Sequence, residues 1–147
     1  MLARIMAAPL MSLFTMFMAS SVTVKDCSNP SYPSVFNINA LSISPESPTP
    51  GQQVALYMEY TVPQGIVVED GIAKYDVTYN FIPMAPTTEP LCANVPCPLT
   101  SGTYANTTST PWPSGIRGTI TTKISWLDTN NSLLACVLIS GKILSSS

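Results

Sequence analysis

The chain has 147 residues, 46% of them apolar and 10% charged, with 6 basic and 8 acidic side chains and no histidine. A net charge of −2 without basic runs excludes a nucleic-acid footprint, and the apolar content excludes an intrinsically disordered chain. Without histidine, neither a Ser-His-Asp nor a Cys-His catalytic arrangement can be built.

Residues 1–21 read as a secretory signal peptide. Arg4 supplies the positive start, residues 5–18 an uncharged apolar run, and Ala19, Ser20 and Ser21 the small residues before a cleavage at Val22. The run is shorter than the ~20 residues a membrane span needs. Residues 22–147 then form one domain, long enough to bury a core. Its prolines are dispersed, and short apolar alternations bounded by turn residues recur, which predicts an all-β domain.

In chain order, a first strand covers 35–43, with its phase broken near Ala40 and Leu41 as at a bulge. A turn at Pro48, Thr49, Pro50 and Gly51 leads to a strand with Val54, Leu56, Met58 and Tyr60 on one side. A further short strand is expected at 62–68. The clearest alternation is at 73–81: Ala73, Tyr75, Val77, Tyr79 and Phe81 inward, Lys74, Asp76, Thr78 and Asn80 outward. After the turn from Pro113 to Gly115, Ile116, Gly118, Ile120, Thr122, Ile124 and Trp126 share one face of the next strand. A turn at 128–131 precedes the last strand, 134–143, and residues 145–147 read as a frayed tail. Six or so antiparallel strands with polar outer faces predict a two-sheet β-sandwich.

Four cysteines follow the signal segment, and an even count in a secreted domain implies two disulfides with three connectivities open. The spacing favours Cys92–Cys97 as a local clip, leaving Cys27–Cys136 as the long bridge. A zinc site is not expected, because no histidine and no Cys-x-x-Cys pair exists. Two sequons, at Asn106 and Asn130, fall in expected loops and are candidate glycosylation sites. No carboxylate pair, phosphate loop or metal cluster suggests an enzyme, and no cofactor is expected. The inward faces carry Met58, Tyr60, Tyr75, Tyr79, Phe81, Met84 and Trp126. Periodicity alone favours these as core filling over a cavity, although Gly118 and Thr122 on an inner face leave space.

One ordered set of residues carries a resemblance. It comprises Asp26 and Cys27, Ser44 and Pro45, Glu89 and Pro90, then Cys92, Cys97, Pro98 and Leu99. Pro113 and Gly115, Ile124 to Trp126, Asn131 to Leu133 and Cys136 complete it. The chain resembles the ML (lipid-recognition) domain family, which includes sterol carriers and phospholipid transfer proteins, over nearly all of residues 24–143. The resemblance implies an immunoglobulin-like two-sheet β-sandwich with lipid held between the sheets. It implies the disulfides Cys27–Cys136 and Cys92–Cys97, and Ile43 facing the pocket. It puts Ile82, Pro83 and Met84, Trp112 and Pro113, and Trp126 on the pocket wall or mouth. With the inward rows, the expected lipid-binding residues are Ile43, Met58, Tyr60, Tyr75, Tyr79, Phe81, Ile82, Met84, Trp112, Pro113, Ile120, Ile124 and Trp126. The family's sterol carriers have a further cysteine pair after the Ser-Pro, where residues 46–50 here have none. The implied role is a secreted or endolysosomal, monomeric, non-enzymatic carrier of sterol or phospholipid. It would make transient membrane contact and could pass its lipid to an acceptor membrane protein. A lipid-presenting co-receptor and an adhesion module with a filled core are the alternatives.

Overall fold

A computed structural model describes residues 21–143; residues 1–20 of the expected signal segment 1–21, and the tail 145–147, lie outside the described residues. Among the described residues nine strands form: β1 Thr23–Asp26, β2 Asn37–Ser44, β3 Gln53–Val62, β4 Gly71–Tyr79, β5 Ile82–Pro83, β6 Thr87–Pro90, β7 Gly102–Pro111, β8 Gly118–Asp128 and β9 Leu133–Ile143. A 3-10 turn, Leu91–Ala93, follows β6. The larger sheet runs β1-β9-β8-β4, with β5 and β6 both on the outer edge of β4; the smaller runs β2-β3-β7. All pairings are antiparallel. The two-sheet sandwich expected from the alternations is therefore the fold.

The alternation assigns the inner faces. In β3, Val54, Met58, Tyr60 and Val62 are buried, with Leu56 half-buried between them. In β8, Ile120, Thr122, Ile124 and Trp126 stand opposite Tyr79, Val77, Tyr75 and Ala73 of β4. Side chains directly opposite each other share a face, so these two rows make the large sheet's inner wall with Val137 and Ile139 of β9. Two bulges adjust the registers. Asn39 is the extra residue in β2, between Ile38 and Ala40, one position before the expected break. Leu134 is extra in β9, because Trp126 opposes Ala135 while Leu127 opposes Leu133.

Two clusters pack between the sheets. One joins Phe36, Met58, Tyr60, Val62, Leu91, Leu99, Trp126 and Leu134 among others. Tyr60 is its centre: it stacks on Phe36 and Tyr104 and meets Trp126 edge-on, with centroids 5.5, 5.6 and 5.2 Å away. The second, at the other end, holds Val22, Ile43, Val54, Trp112 and Ile143. Here a Cβ on Gly141 would lie 2.8 Å from Trp112 Cη2, so the missing side chain makes room for the indole against β9. Disulfides join Cys27 to Cys136 and Cys92 to Cys97. The long bridge closes a separation of 109 residues, worth roughly 4–5 kcal/mol in the chain-entropy model, against about 2 kcal/mol for the clip across 5.

Four expectations about elements are corrected. No strand spans 62–68: Val62 ends β3, and Val68 makes one bridge to Leu99. The strand at 73–81 stops at Tyr79, because Asn80 and Phe81 have φ of 47° and 67° and form the two-residue hairpin loop to β5. The strand expected from Ile116 begins at Gly118 and runs on to Asp128. Asn106, expected in a loop, lies in the middle of β7.

Candidate functional site

Between the two packed clusters the sheets do not meet. Leu56, Tyr75, Ile124 and Ile139 stand mid-strand on inner faces yet are only partly buried. Such residues in a closed sandwich would be covered by the opposite sheet; here they look onto a cavity of about 680 Å³. That volume lies within the roughly 300–1,000 Å³ typical of small-molecule sites. Its apolar lining comes from both sheets: Ile43, Val54 and Leu56 from β2 and β3, and Val77, Ile120 and Ile139 from the large sheet. A narrow recess of about 30 Å³ continues it past Met58 to Trp126, Ala135 and Val137.

One flank of the cavity is closed and the other open. On the closed flank β1 lies against β2, and Val22 N–H donates to the carbonyl of Glu46 at 2.8 Å. On the other, the free edge strand β7 and Glu89 of the edge strand β6 both line the cavity. No strand among the described residues bridges them. Trp112 closes one end, held by its backbone N–H donating to Gln52 O at 2.8 Å and by Gly51 N–H donating to its carbonyl at 2.9 Å.

The open flank is polar on both sides. Tyr104, Asn106, Thr108 and Thr110 of β7 oppose Tyr60, Met58, Leu56 and Val54 of β3, and so share the inner face. Across the mouth, Glu89 of β6 opposes Ala73. The Tyr75 hydroxyl donates to Glu89 Oε1, and Asn94 Nδ2 donates to the same oxygen at 2.6 Å. Burial first, then the hydrogen bond and charge of Glu89, push the Tyr75 phenol far above its usual pKa, so it stays a neutral donor.

The expected site residues divide into four groups. Ile43, Tyr75, Trp112, Pro113, Ile120 and Ile124 line the main cavity together. Met58 and Trp126 reach only the narrow recess, and both belong to the packed cluster. Tyr60 and Tyr79 line neither space: Tyr60 is the stacked core described above, and the Tyr79 hydroxyl donates to the carbonyl of Arg117. Phe81, Ile82 and Met84 are 90%, 64% and 55% exposed and line no part of the cavity. Phe81 is turned outward by the hairpin loop. Ile82 opposes Tyr79, and Met84 N–H donates to Val77 O, so both continue the inner apolar rows onto the open edge.

Of the two small inner residues, Thr122 lines the cavity and Gly118 does not. Gly118 has φ of 138°, and a Cβ there would lie 2.1 Å from Asn80 Oδ1. Its smallness serves the Asn80 side chain, whose Oδ1 accepts from Thr119 N–H at 2.9 Å. Glu89, Asn94 and the inner threonines of β7 were not among the expected site residues. The signal for Glu89 was its place before the Pro90 and Cys92 pair; for β7 there was none in hydrophobicity.

Comparison with known proteins agrees with this geometry. The ML domain family model matches residues 21–143. Among solved structures, a Niemann-Pick type C2 protein from Japanese carpenter ant shares the fold. Its TM-score is 0.55 at 14% identity, over 83% of this chain and 99% of the ant protein. Chicken MD-1 complexed with lipid IVa shares it too, with a TM-score of 0.54 at 18% identity, over 85% of this chain and 91% of that one. No curated protein sequence matches. With a family model covering every described residue, a two-sheet sandwich and the cysteine bridges in place, the chain belongs to the ML domain family.

Proposed function

We propose that this protein binds a lipid between its sheets and carries it between membranes, without catalysing a reaction. The observation that carries this reading is the apolar cavity of about 680 Å³ held open between two packed clusters. A filled adhesion module would bury Leu56, Tyr75, Ile124 and Ile139 completely, so their exposure to the cavity favours the ligand reading. Each methylene moved from water into such a space gains about 0.8 kcal/mol, so an acyl chain or sterol would bind through its apolar body. The family membership, and the lipid in the related chicken structure, support the same reading.

Transfer requires contact with a bilayer. Phe81, Ile82 and Met84 offer an exposed apolar edge beside the open flank, where a tail could pass between membrane and cavity. A secreted or endolysosomal setting fits the two disulfides and the expected signal segment. The same apolar edge would also serve a lipid-presenting co-receptor, with a receptor protein in place of the bilayer. Titration of the secreted protein with fluorescent sterol and fluorescent phospholipid tests the reading, beside native mass spectrometry of lipid carried through purification. Saturable one-to-one uptake is expected. The absence of both saturable uptake and a retained lipid mass would refute it.

A further inference from the structure

The lining of the cavity is asymmetric, and its polar part sits at the open flank. Tail-facing surfaces are supplied by aliphatic and aromatic residues of both sheets. The open flank presents hydroxyls of Thr108 and Thr110 on one side, Glu89 and Asn94 on the other. Among the described residues lining the cavity, Glu89 supplies the one formal charge, and it is negative. Glu89 is half-buried, and both its hydrogen bonds arrive at Oε1, which leaves Oε2 able to accept from a ligand.

We infer that this rim selects lipids whose headgroup donates hydrogen bonds through O–H or N–H and carries no negative charge. The inference rests on the lipid-binding reading above. A hydroxyl can donate to Glu89 Oε2 or exchange hydrogen bonds with the threonine hydroxyls, which both donate and accept. An ammonium group would form a charge-assisted hydrogen bond to the same carboxylate. A carboxylate or phosphate would meet Glu89 in a partly desolvated mouth, where like-charge repulsion is stronger than in water. Asn94, the nearby amide donor, already has a hydrogen committed to Glu89.

The test is competition against the uncharged probe N-phenyl-1-naphthylamine by three ligands sharing one tail: oleyl alcohol, oleylamine and oleyl phosphate. In the unmodified protein at pH 7, the alcohol and amine should displace the probe at about tenfold lower concentration than the phosphate, a difference of about 1.4 kcal/mol. Glu89→Gln keeps an acceptor for Tyr75 and removes the charge; it should close most of that gap by strengthening the phosphate. Equal competition by all three in the unmodified protein overturns the headgroup assignment and leaves lipid binding standing. So does a gap that Glu89→Gln leaves unchanged. Absence of saturable probe uptake, with no displacement by any of the three, instead removes the lipid reading beneath it.

Discussion

Replacing Thr122 by phenylalanine distinguishes a cavity from a core. Thr122 stands between Val77 of β4 and Ile139 of β9, and all three line the same space. A phenyl ring there would enter the cavity and displace about four methylenes of a ligand tail. At about 0.8 kcal/mol per methylene the loss is about 3 kcal/mol, a roughly 200-fold weakening of lipid binding. Were the space filled, the ring would overpack it at a cost of about 1–3 kcal/mol, or roughly 3–15 °C in melting temperature at this chain length. The variant is expected to bind fluorescent lipid about two hundredfold more weakly and to melt close to the unmodified protein. Gly118→Ala provides the opposite case: its Cβ would collide with Asn80 Oδ1, so it should melt lower while keeping its lipid affinity. The cavity argument fails if Thr122→Phe melts several degrees lower, or if it binds lipid as the unmodified protein does.

Four further outcomes are expected. Ile82→Asp with Met84→Asp should slow lipid transfer between vesicles several-fold and leave equilibrium affinity unchanged, measured by fluorescence dequenching and by titration respectively. Replacing Cys27 and Cys136 together by serine should cost roughly 4–5 kcal/mol in denaturant unfolding, and replacing Cys92 and Cys97 about 2 kcal/mol. Burial raises the Tyr60 phenol from 10.0 to about 12, so the stability it confers is complete below pH 10 and lost as pH rises toward 12. Unfolding titrations over pH 10 to 12 should show that loss, and it should be smaller in Tyr60→Phe. Glycan, where attached, should map by mass spectrometry to Asn130 rather than Asn106. Asn130 is exposed in the β8–β9 turn, whereas Asn106 faces inward opposite Met58.

The fold was legible where one face of a strand is apolar and the other polar. β3, β4 and β8 have that pattern, and the cysteine spacing marked which ends are tied. β7 was not legible, because its inner row of Tyr104, Asn106, Thr108 and Thr110 borders an open mouth and has little apolar signal to show. Phe81 was misread because the alternation runs on through Asn80, while the backbone there turns into the left-handed region. After glycine, Asn is among the residues most tolerant of that conformation, and Pro83, which suits an edge strand, follows three residues later. Half of the site was legible for the same reason that it binds apolar matter. Tyr75, Ile120 and Ile124 obey the period of two, and Ile43 was marked by the family resemblance, but periodicity is identical for a residue facing a void and one facing a neighbour. Only the separation of the sheets distinguishes Tyr75, at the cavity, from Tyr60, in the stack.

The free edge of β7 separates what holds the domain together from what its mouth can recognise. Thr108 and Thr110 are exposed and belong to neither packed cluster, so changing them removes no core contact. Basic, acidic or aliphatic side chains could be exchanged there at small cost in stability, each altering the headgroup admitted. This strand is the natural place to re-engineer ligand choice: a short library over Asn106, Thr108 and Thr110 would sample new specificities on an unchanged scaffold.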